Sequence, residues 1–594
     1  MKIRRSMRRR TSFAFVVVLA IVASLVYKLV DIQVVDAKAL DAEAAAHRGT
    51  VITTYGARGE IVAADGTVLA GSVLRYDFIA SPKDASTFER TSKSGKSEKV
   101  TRAEALKELA AITGDSAAGY EKQIKAALKE NPDSQYAPLV KSVDVPTYEK
   151  IQALDIPWLA PVSHPARTYP DGAVAGNVVG YVNSDGEGAE GLEQKYQQCL
   201  AGEDGEETYQ RSEDGVPIPG STKVTKAAKQ GGTLVTTLDA DLTWFLDQNL
   251  AETVKDLGAQ FGQISVVDVK TGEIKAAAQY PSVDPNNVDG VPAEYRSTAM
   301  LFSNMYEPGS TFKALSAAAM IDTGYATPNS HVVVPYEFTT PNGAKIYDAE
   351  YHATENMTLT GVLMNSSNVG MSLLGQNMSD EVRYEYYKKF GIGTPTAVDF
   401  PAEQSGILAK PSSWDDLTKY TTLFGQGVSA TQAQMLQAYQ ALANGGVKVP
   451  LSIVKGCKLS DGTMIDVPKK TSTRVVKAST SKTVLDMLES VVQQGENSSV
   501  LKTPGYRIAA KTGTAQEPNE NGVGYKEGVY YVSVMGVAPV DDPQYLVSVN
   551  IGYPTKIKMS SAAAPLFHTV MSQVLKTYRV APSKSAPSML SPYF

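Results

Sequence analysis

The run from Thr11 to Tyr27 holds no charged residue and follows a segment carrying Lys2, Arg4, Arg5, Arg8, Arg9 and Arg10. Lys28 interrupts it before Leu29 and Val30 close the stretch. About 20 apolar residues suffice to cross a bilayer as a helix, and flanking basic residues stay on the cytoplasmic side. The expectation is a cytoplasmic tail over 1–10, a single-pass transmembrane helix over 11–30, and an extracytoplasmic chain from Asp31 onward. The alternative is a cleaved signal peptide, because Ala42-Glu43-Ala44 has the small-residue form of a cleavage site. That site lies too far beyond a hydrophobic run already too long for a signal, so the anchor is the reading adopted.

At 594 residues the chain can bury more than one core. Its net charge of -6 argues against a nucleic-acid partner. The two cysteines, Cys199 and Cys457, lack CxxC spacing and form at most one bridge; two unpaired structural cysteines are the reading taken. The five histidines are scattered without HExxH spacing, so neither a metal nor another cofactor is expected.

Beyond the anchor, Asp31 to Ala46 reads as a continuing helix. Gly59 to Ala70 alternates around Asp65-Gly66, a hairpin signal. Thr101-x-x-Glu104 is a capping box with Gly114 at the helix end, and Pro146 opens a short helix to Leu154. No nucleophile, base or ligand cluster stands out before Gln230, so 31–230 reads as a noncatalytic mixed α/β module ending in polar loops. From 231 to 580, a strand over 232–239, a helix over 241–257 and a hairpin about Lys270-Thr271-Gly272 lead into a long insert. Strands over 507–510, 530–538 and 545–551 and a helix over 564–578 close the region. The expected fold class is α/β multidomain, with an antiparallel sheet made from both ends of the last domain, flanked by helices, and an all-helical insert. The Ser- and Pro-rich 581–594 is expected to be disordered.

In the insert, Glu307-Pro308-Gly309-Ser310-Thr311-Phe312-Lys313 precedes a small-residue helical run. Pro308 and Gly309 break the chain so that Ser310 opens the helix, with Lys313 one turn on and on the same face. A serine hydroxyl becomes nucleophilic when a base takes its proton, and lysine serves only when burial or a neighbouring cation lowers its pKa. Ser366-Ser367-Asn368 follows an apolar helical stretch and offers a hydroxyl and an amide two residues apart. Lys511-Thr512-Gly513-Thr514 follows a strand whose alternation turns Lys511 and Gly513 to one face; Gly513 leaves room for a substrate backbone. Each cluster alone is ordinary, a helix start, a cap or a strand end. The three in one order within one domain are not.

Ser310-x-x-Lys313, Ser366-x-Asn368 and Lys511-Thr512-Gly513 resemble the three motifs of penicillin-binding proteins and serine β-lactamases. The fuller Glu307-to-Lys313 string is similar to that of class B penicillin-binding proteins, the monofunctional peptidoglycan D,D-transpeptidases. Arg58-Gly59, Arg167-x-Tyr169-Pro170, Gly191-Leu192-Glu193, Leu238-Asp239 and Phe424-Gly425-Gln426-Gly427 resemble further class B segments, whereas Ala63-Ala64-Asp65-Gly66 departs from the usual Asp-Arg-x-Gly turn. The resemblance implies Ser310 as acylated nucleophile, Lys313 as base with its pKa depressed by Lys511, Ser366 as proton relay and Asn368 as holder of the substrate amide. It implies Lys511, Thr512 and Thr514 as receivers of the terminal carboxylate, and the N-H groups of Ser310 and Thr514 as oxyanion hole. Implied partners are D-Ala-D-Ala stem peptides, an amine acceptor, β-lactam antibiotics, the membrane, a polymerase of the FtsW/RodA type and other division proteins; no nucleic acid is among them. Glu307 before Pro308 resembles the division-type (FtsI-like) signature. An elongation-type enzyme, and a silent scaffold or β-lactam sensor, are the alternatives.

Overall fold

The computed structural model describes residues 2–36, 49–91, 95–210, 218–296, 299–520 and 524–594. Two compact units result. The first comprises 1–57 and 202–230. In it, helix α1 (Lys2–Val30) runs into one π-helical turn over Asp31–Val35, so the helix expected to continue to Ala46 is described only to Asp36. The side chains described along α1 are almost entirely exposed, and the helix is long and apolar enough to be consistent with a single-pass membrane anchor. Gly49–Thr54, Gly205–Gln210 and Lys223–Lys226 form a small antiparallel sheet in this unit.

The second unit joins 58–201 to 231–594. A shared sheet links its two stretches. Ile61–Val62 pairs in antiparallel fashion with Val68–Ala80 across the Asp65-Gly66 turn, and in parallel with Thr233–Thr236. Thr233–Thr236 in turn pairs with Val454–Lys458. That sheet brings Cys199 and Cys457, 258 residues apart, into a disulfide with Cα atoms 6.5 Å apart. This corrects the expectation of unpaired cysteines; a contact made through a distant strand leaves no local spacing to read. Gly232 makes the room, since a Cβ there would sit 2.7 Å from Cys457 Sγ.

Close by, Glu193 is fully buried and accepts from Arg58 Nε and Arg167 Nε, each at 2.6 Å. Arg167 also donates to Gly59 O at 2.6 Å, and Arg58 to Gln197 Oε1 at 2.7 Å. Farther out, the capping box of Thr101 and Glu104 starts a helix that Gly114 ends in a left-handed conformation.

The catalytic-type region begins with α2 (Ala240–Leu257), β1 (Phe261–Asp268) and β2 (Ile274–Tyr280). The insert carries α3 (Lys313–Thr323), α4 (Leu359–Met364), α5 (Asn368–Gly375) and α6 (Ala478–Gln494). Then come β3 (Ala509–Pro518), β4 (Tyr525–Ala538), β5 (Tyr545–Gly552) and α7 (Ala564–Thr577). The strands form one antiparallel sheet in the order β2-β1-β5-β4-β3, made from both ends of the region. Alternation sorts its faces: Ile264 and Val266 pack with Leu246 and Leu250 of α2 and Phe567 and Val570 of α7. Between them Ser265 turns the other way, and its hydroxyl donates to Gln432 Oε1 of the insert at 3.0 Å. The insert is not all-helical, since it also holds short two-stranded ladders such as His331–Val334 with Glu355–Thr358 and Glu337–Thr339 with Lys345–Tyr347.

The segment 581–594, expected to be disordered, is docked instead. Its serines replace an apolar core as the means of attachment. Arg507 donates to Ser585 Oγ at 2.8 Å and Ser588 Oγ at 3.1 Å, Ser588 N to Glu489 at 2.8 Å, and Thr358 N to Pro592 O at 2.9 Å. A composition poor in hydrophobes conceals such an attachment because buried polar partners, not area, hold it.

Candidate active site

Ser310 does not open α3 directly. It lies in a single 3-10 turn, Gly309–Phe312, whose end is fixed by Lys313 N donating to Ser310 O. In a 3-10 turn, side chains three apart eclipse one another, so Ser310 and Lys313 project from the same side more closely than in an α-helix. The turn is braced on every flank. Gly309, at φ 54, donates to Gly425 O at 3.0 Å; Thr311 Oγ1 donates to Pro308 O at 2.8 Å; Tyr439 OH donates to Thr311 O at 2.6 Å. Downstream, α3 is buried from Lys313 to Met320, and its alanines let the helix run through the packed interior.

Lys313 is 0% exposed, as is Lys511. Lys313 Nζ donates to the Ser366 carbonyl and lies 3.4 Å from Ser366 Oγ. Lys511 Nζ donates to Ser366 Oγ at 3.0 Å and to Thr512 O at 3.0 Å. The Ser366 hydroxyl therefore sits between two amines. Burial in the first place, and the positive charge of Lys511 in the second, hold the Lys313 pKa well below the usual ammonium range; Asp348 pulls weakly the other way. Lys511 thus acts in the direction the resemblance implies, with burial ahead of it as the larger cause. Burial also pushes Lys511 down to about 7.

Ser366 occupies the turn between α4 and α5 at φ 56, a left-handed conformation that is uncommon for serine. What holds it there is Asp348, a residue no sequence pattern singled out. Its buried carboxylate accepts from Ser367 Oγ at 2.6 Å, Asn368 N at 2.5 Å and Val369 N at 3.0 Å, and lies 3.0 Å from His352 Nε2. A carboxylate on the free N-H groups of a helix start is favoured by both hydrogen bonding and the helix dipole. Asn368 Nδ2 donates to Tyr347 O at 3.1 Å, with the side chain half-buried at the rim.

The motif Lys511-Thr512-Gly513-Thr514 lies inside β3 rather than after a strand. Alternation buries Lys511 and Gly513 and turns Thr512, half-buried, and Thr514, exposed, to the other face. The room at Gly513 is not substrate space: a Cβ would stand 2.5 Å from Ser533 Oγ and 3.0 Å from Thr311 Cγ2. Gly513 is what lets β3 close against the nucleophile-bearing turn. Lys511, with its amine engaged by Ser366 and Thr512 O, also does not share a face with Thr512 and Thr514. Glu307, known from the sequence only as a neighbour of Pro308, accepts from Gly427 N at 2.8 Å and Tyr525 OH at 3.0 Å. Burial raises its pKa. It ties the Ser310 turn to β4 and to the loop holding Gly425.

The chain is similar to known proteins over most of its length. A family model described as the penicillin binding protein transpeptidase domain matches residues 262–572, and one described as the penicillin-binding protein dimerisation domain matches 53–236. The chain is 33% identical to penicillin-binding protein PbpB of Mycobacterium tuberculosis, over 98% of this chain and 87% of that protein. It is 31% identical to the peptidoglycan D,D-transpeptidase FtsI of Escherichia coli, over 77% and 75% respectively. A peptidoglycan synthetase structure from Bifidobacterium adolescentis superposes with a TM-score of 0.70 at 29% identity, covering 92% of this chain and 100% of that one. Penicillin binding protein 3 of M. tuberculosis complexed with aztreonam does so with a TM-score of 0.67 at 28% identity, covering 91% and 100%. The chain, with a dimerisation-type domain ahead of a transpeptidase domain, belongs to the penicillin-binding protein family.

Proposed function

We propose that this protein is a membrane-anchored peptidoglycan D,D-transpeptidase in which Ser310 forms the acyl-enzyme and Lys313 is the base. The observation that carries the reading is the buried pair of lysines with the Ser366 hydroxyl between them. A buried amine kept neutral by its surroundings can accept the Ser310 proton at physiological pH. Ser310 Oγ then attacks the carbonyl of the penultimate D-Ala, and the bond to the last D-Ala breaks as the proton passes from Lys313 through Ser366 to the leaving amine. An amine of a neighbouring strand attacks the ester, its proton returns by the same route, and the cross-link forms as Ser310 is freed. Thr512 and Thr514, on the accessible face of β3, receive the terminal carboxylate; Asn368 holds the stem-peptide amide. The N-H groups of Ser310 and Thr514 form the oxyanion hole, each worth about 3 kcal/mol in acyl transfer. A β-lactam opens on Ser310 without a departing fragment, so its acyl-enzyme persists.

The test is covalent labelling with a fluorescent penicillin. Wild type is expected to give an adduct stable on a denaturing gel, and Ser310→Ala none. A folded wild type that takes no label would sink the transpeptidase reading in favour of the scaffold. The rate of labelling should also rise with pH as Lys313 loses its proton. Lys511→Ala removes the neighbouring charge, so Lys313 stays protonated to higher pH and the acid limb of the profile moves upward, measurable between about pH 5 and about pH 9.

An uncleaved anchor with an N-terminus in the cytoplasm and the rest outside is supported by the basic residues ahead of α1. The Cys199–Cys457 disulfide adds independent support, since such bonds persist in oxidising compartments. Septal wall synthesis is supported by Glu307 before Pro308 and by the similarity to FtsI. The first unit and 58–201 would serve as a pedestal contacting a membrane polymerase of the FtsW/RodA type. Depletion in the native cell separates the two roles: blocked septation fits division, and lost cell shape with continued septation fits the elongation-type alternative.

A further inference from the structure

The path of 581–594 connects two elements whose side chains must meet. It begins beside Arg507, which lies four residues before Lys511 and just ahead of the start of β3. Here Ser583 Oγ accepts from Arg507 N at 3.0 Å, and Arg507 reaches Ser585 and Ser588. The segment then follows α6, where Leu590 N donates to Ser490 Oγ at 3.0 Å and Gln494 Nε2 donates to Leu590 O at 3.1 Å. It ends on the arm that carries Ser366. Thr358, the N-cap of α4, donates through Oγ1 to Ser591 O at 2.7 Å and through N to Pro592 O at 2.9 Å. Asn365 Nδ2 donates to Tyr593 OH at 2.9 Å, one residue before Ser366. Phe594 stacks on His331 with ring centroids 3.8 Å apart, on the ladder strand that pairs with Glu355–Thr358.

We propose that residues 588–594 are a positioning strap for the acylation reaction, with Tyr593 as its key residue, holding the Ser366 turn in register with Lys511. The proposal rests on the reading of Ser310, Lys313 and Ser366 given above. None of the strap residues touches the reacting atoms, so its effect is on geometry. The fit is close along the arm: a Cβ on Gly361 would stand 1.9 Å from Pro592 O. At the same time Met589, Tyr593 and Phe594 remain 67%, 45% and 49% exposed. Leu590 alone packs against the core of the insert, and what the strap supplies beyond that anchor is direction, through hydrogen bonds to the elements ahead of Lys511 and Ser366.

The experiment uses the full chain in detergent, its Tyr593→Phe and Phe594→Ala variants, and a chain shortened to end at residue 587. Acylation by fluorescent penicillin is followed as a function of pH, with thermal unfolding in parallel. The shortened chain is expected to acylate about tenfold more slowly, since sub-ångström misplacement of reacting groups has effects of this order. Its acid limb should move, because the Lys313–Ser366–Lys511 spacing changes, and a synthetic peptide of residues 588–594 should restore rate and profile. Tyr593→Phe, which removes only the hydroxyl bonded to Asn365, should slow acylation about threefold with unchanged unfolding temperature. If rate and pH profile are unaltered in every folded variant, or the rate falls only with the folded fraction, the strap is merely structural and the proposal is overturned. Wild type that takes no penicillin would instead overturn the transpeptidase reading beneath it. If the shortened chain does not fold, the two point variants decide the matter.

Discussion

Lys313→Met should take penicillin about a thousandfold more slowly than wild type while remaining folded, because a positioned general base contributes about 10²–10⁴ to such a step. Methionine is unbranched like lysine, one heavy atom shorter, and carries no charge, so it suits a site with 0% exposure better than an ammonium would. Loss of rate with retained or raised unfolding temperature therefore isolates the proton-transfer role. Lys313→Arg makes the contrast. A guanidinium does not give up its proton in proteins, so this variant should be as slow as Lys313→Met and also less stable, with a permanent charge buried beside Lys511. Labelling rates read from gel fluorescence, with circular dichroism melts of the three proteins, check both. A Lys313→Met protein that acylates within tenfold of wild type would remove Lys313 from the role of base.

The residue types of this site were legible in sequence because the chemistry demands them at short spacing: a hydroxyl and an amine one turn apart, a hydroxyl and an amide two apart, a lysine and a glycine alternating on a strand. Their surroundings were not. The chief cause of the lowered Lys313 pKa is burial, and burial depends on an alanine-rich helix being threaded through the middle of the domain, a tertiary fact. Asp348 is invisible for the same reason, being an isolated acid on a loop 18 residues before Ser366 until the fold lays it on the start of α5. Gly513 was read as space for substrate, but the space is filled by Thr311 and Ser533 from other elements. The sheet from both ends of the last domain was readable because alternation is local. The Cys199–Cys457 bond and the docked 581–594 segment were not, because each depends on partners hundreds or tens of residues away and on polar contacts that composition does not reveal. Arg58, Arg167 and Glu193 lie between these cases: they stood out as family-like strings, and only the structure shows that they are one ion-pair cluster.

That cluster carries the largest expected effect on stability. Replacing Glu193 with alanine should destabilise the chain by about 3–5 kcal/mol, the range for removing one partner from a buried ion pair. The loss is large because of what remains. Arg58 and Arg167 have side chains only 9% and 4% exposed, so two guanidinium groups would be left facing an uncharged cavity. Arg167 Nη2 already has no hydrogen-bond partner, which leaves little capacity to rearrange. Glu193→Gln should lose less, since the amide oxygen still accepts one bond while its nitrogen is turned toward a cation. The order wild type, Glu193→Gln, Glu193→Ala in urea midpoint is therefore expected, with unchanged penicillin acylation per folded molecule, because Glu193 makes no contact with Ser310, Lys313 or Ser366. The cluster fastens the loop after Ala57 to the 167–193 segment through Gly59 O and Gln197. Its failure should thus open the 58–201 part first, exposing proteolytic sites there while the transpeptidase sheet still binds penicillin. Equal midpoints for the three proteins would mean that solvent enters and rescues the arginines, and that the fold does not depend on this carboxylate.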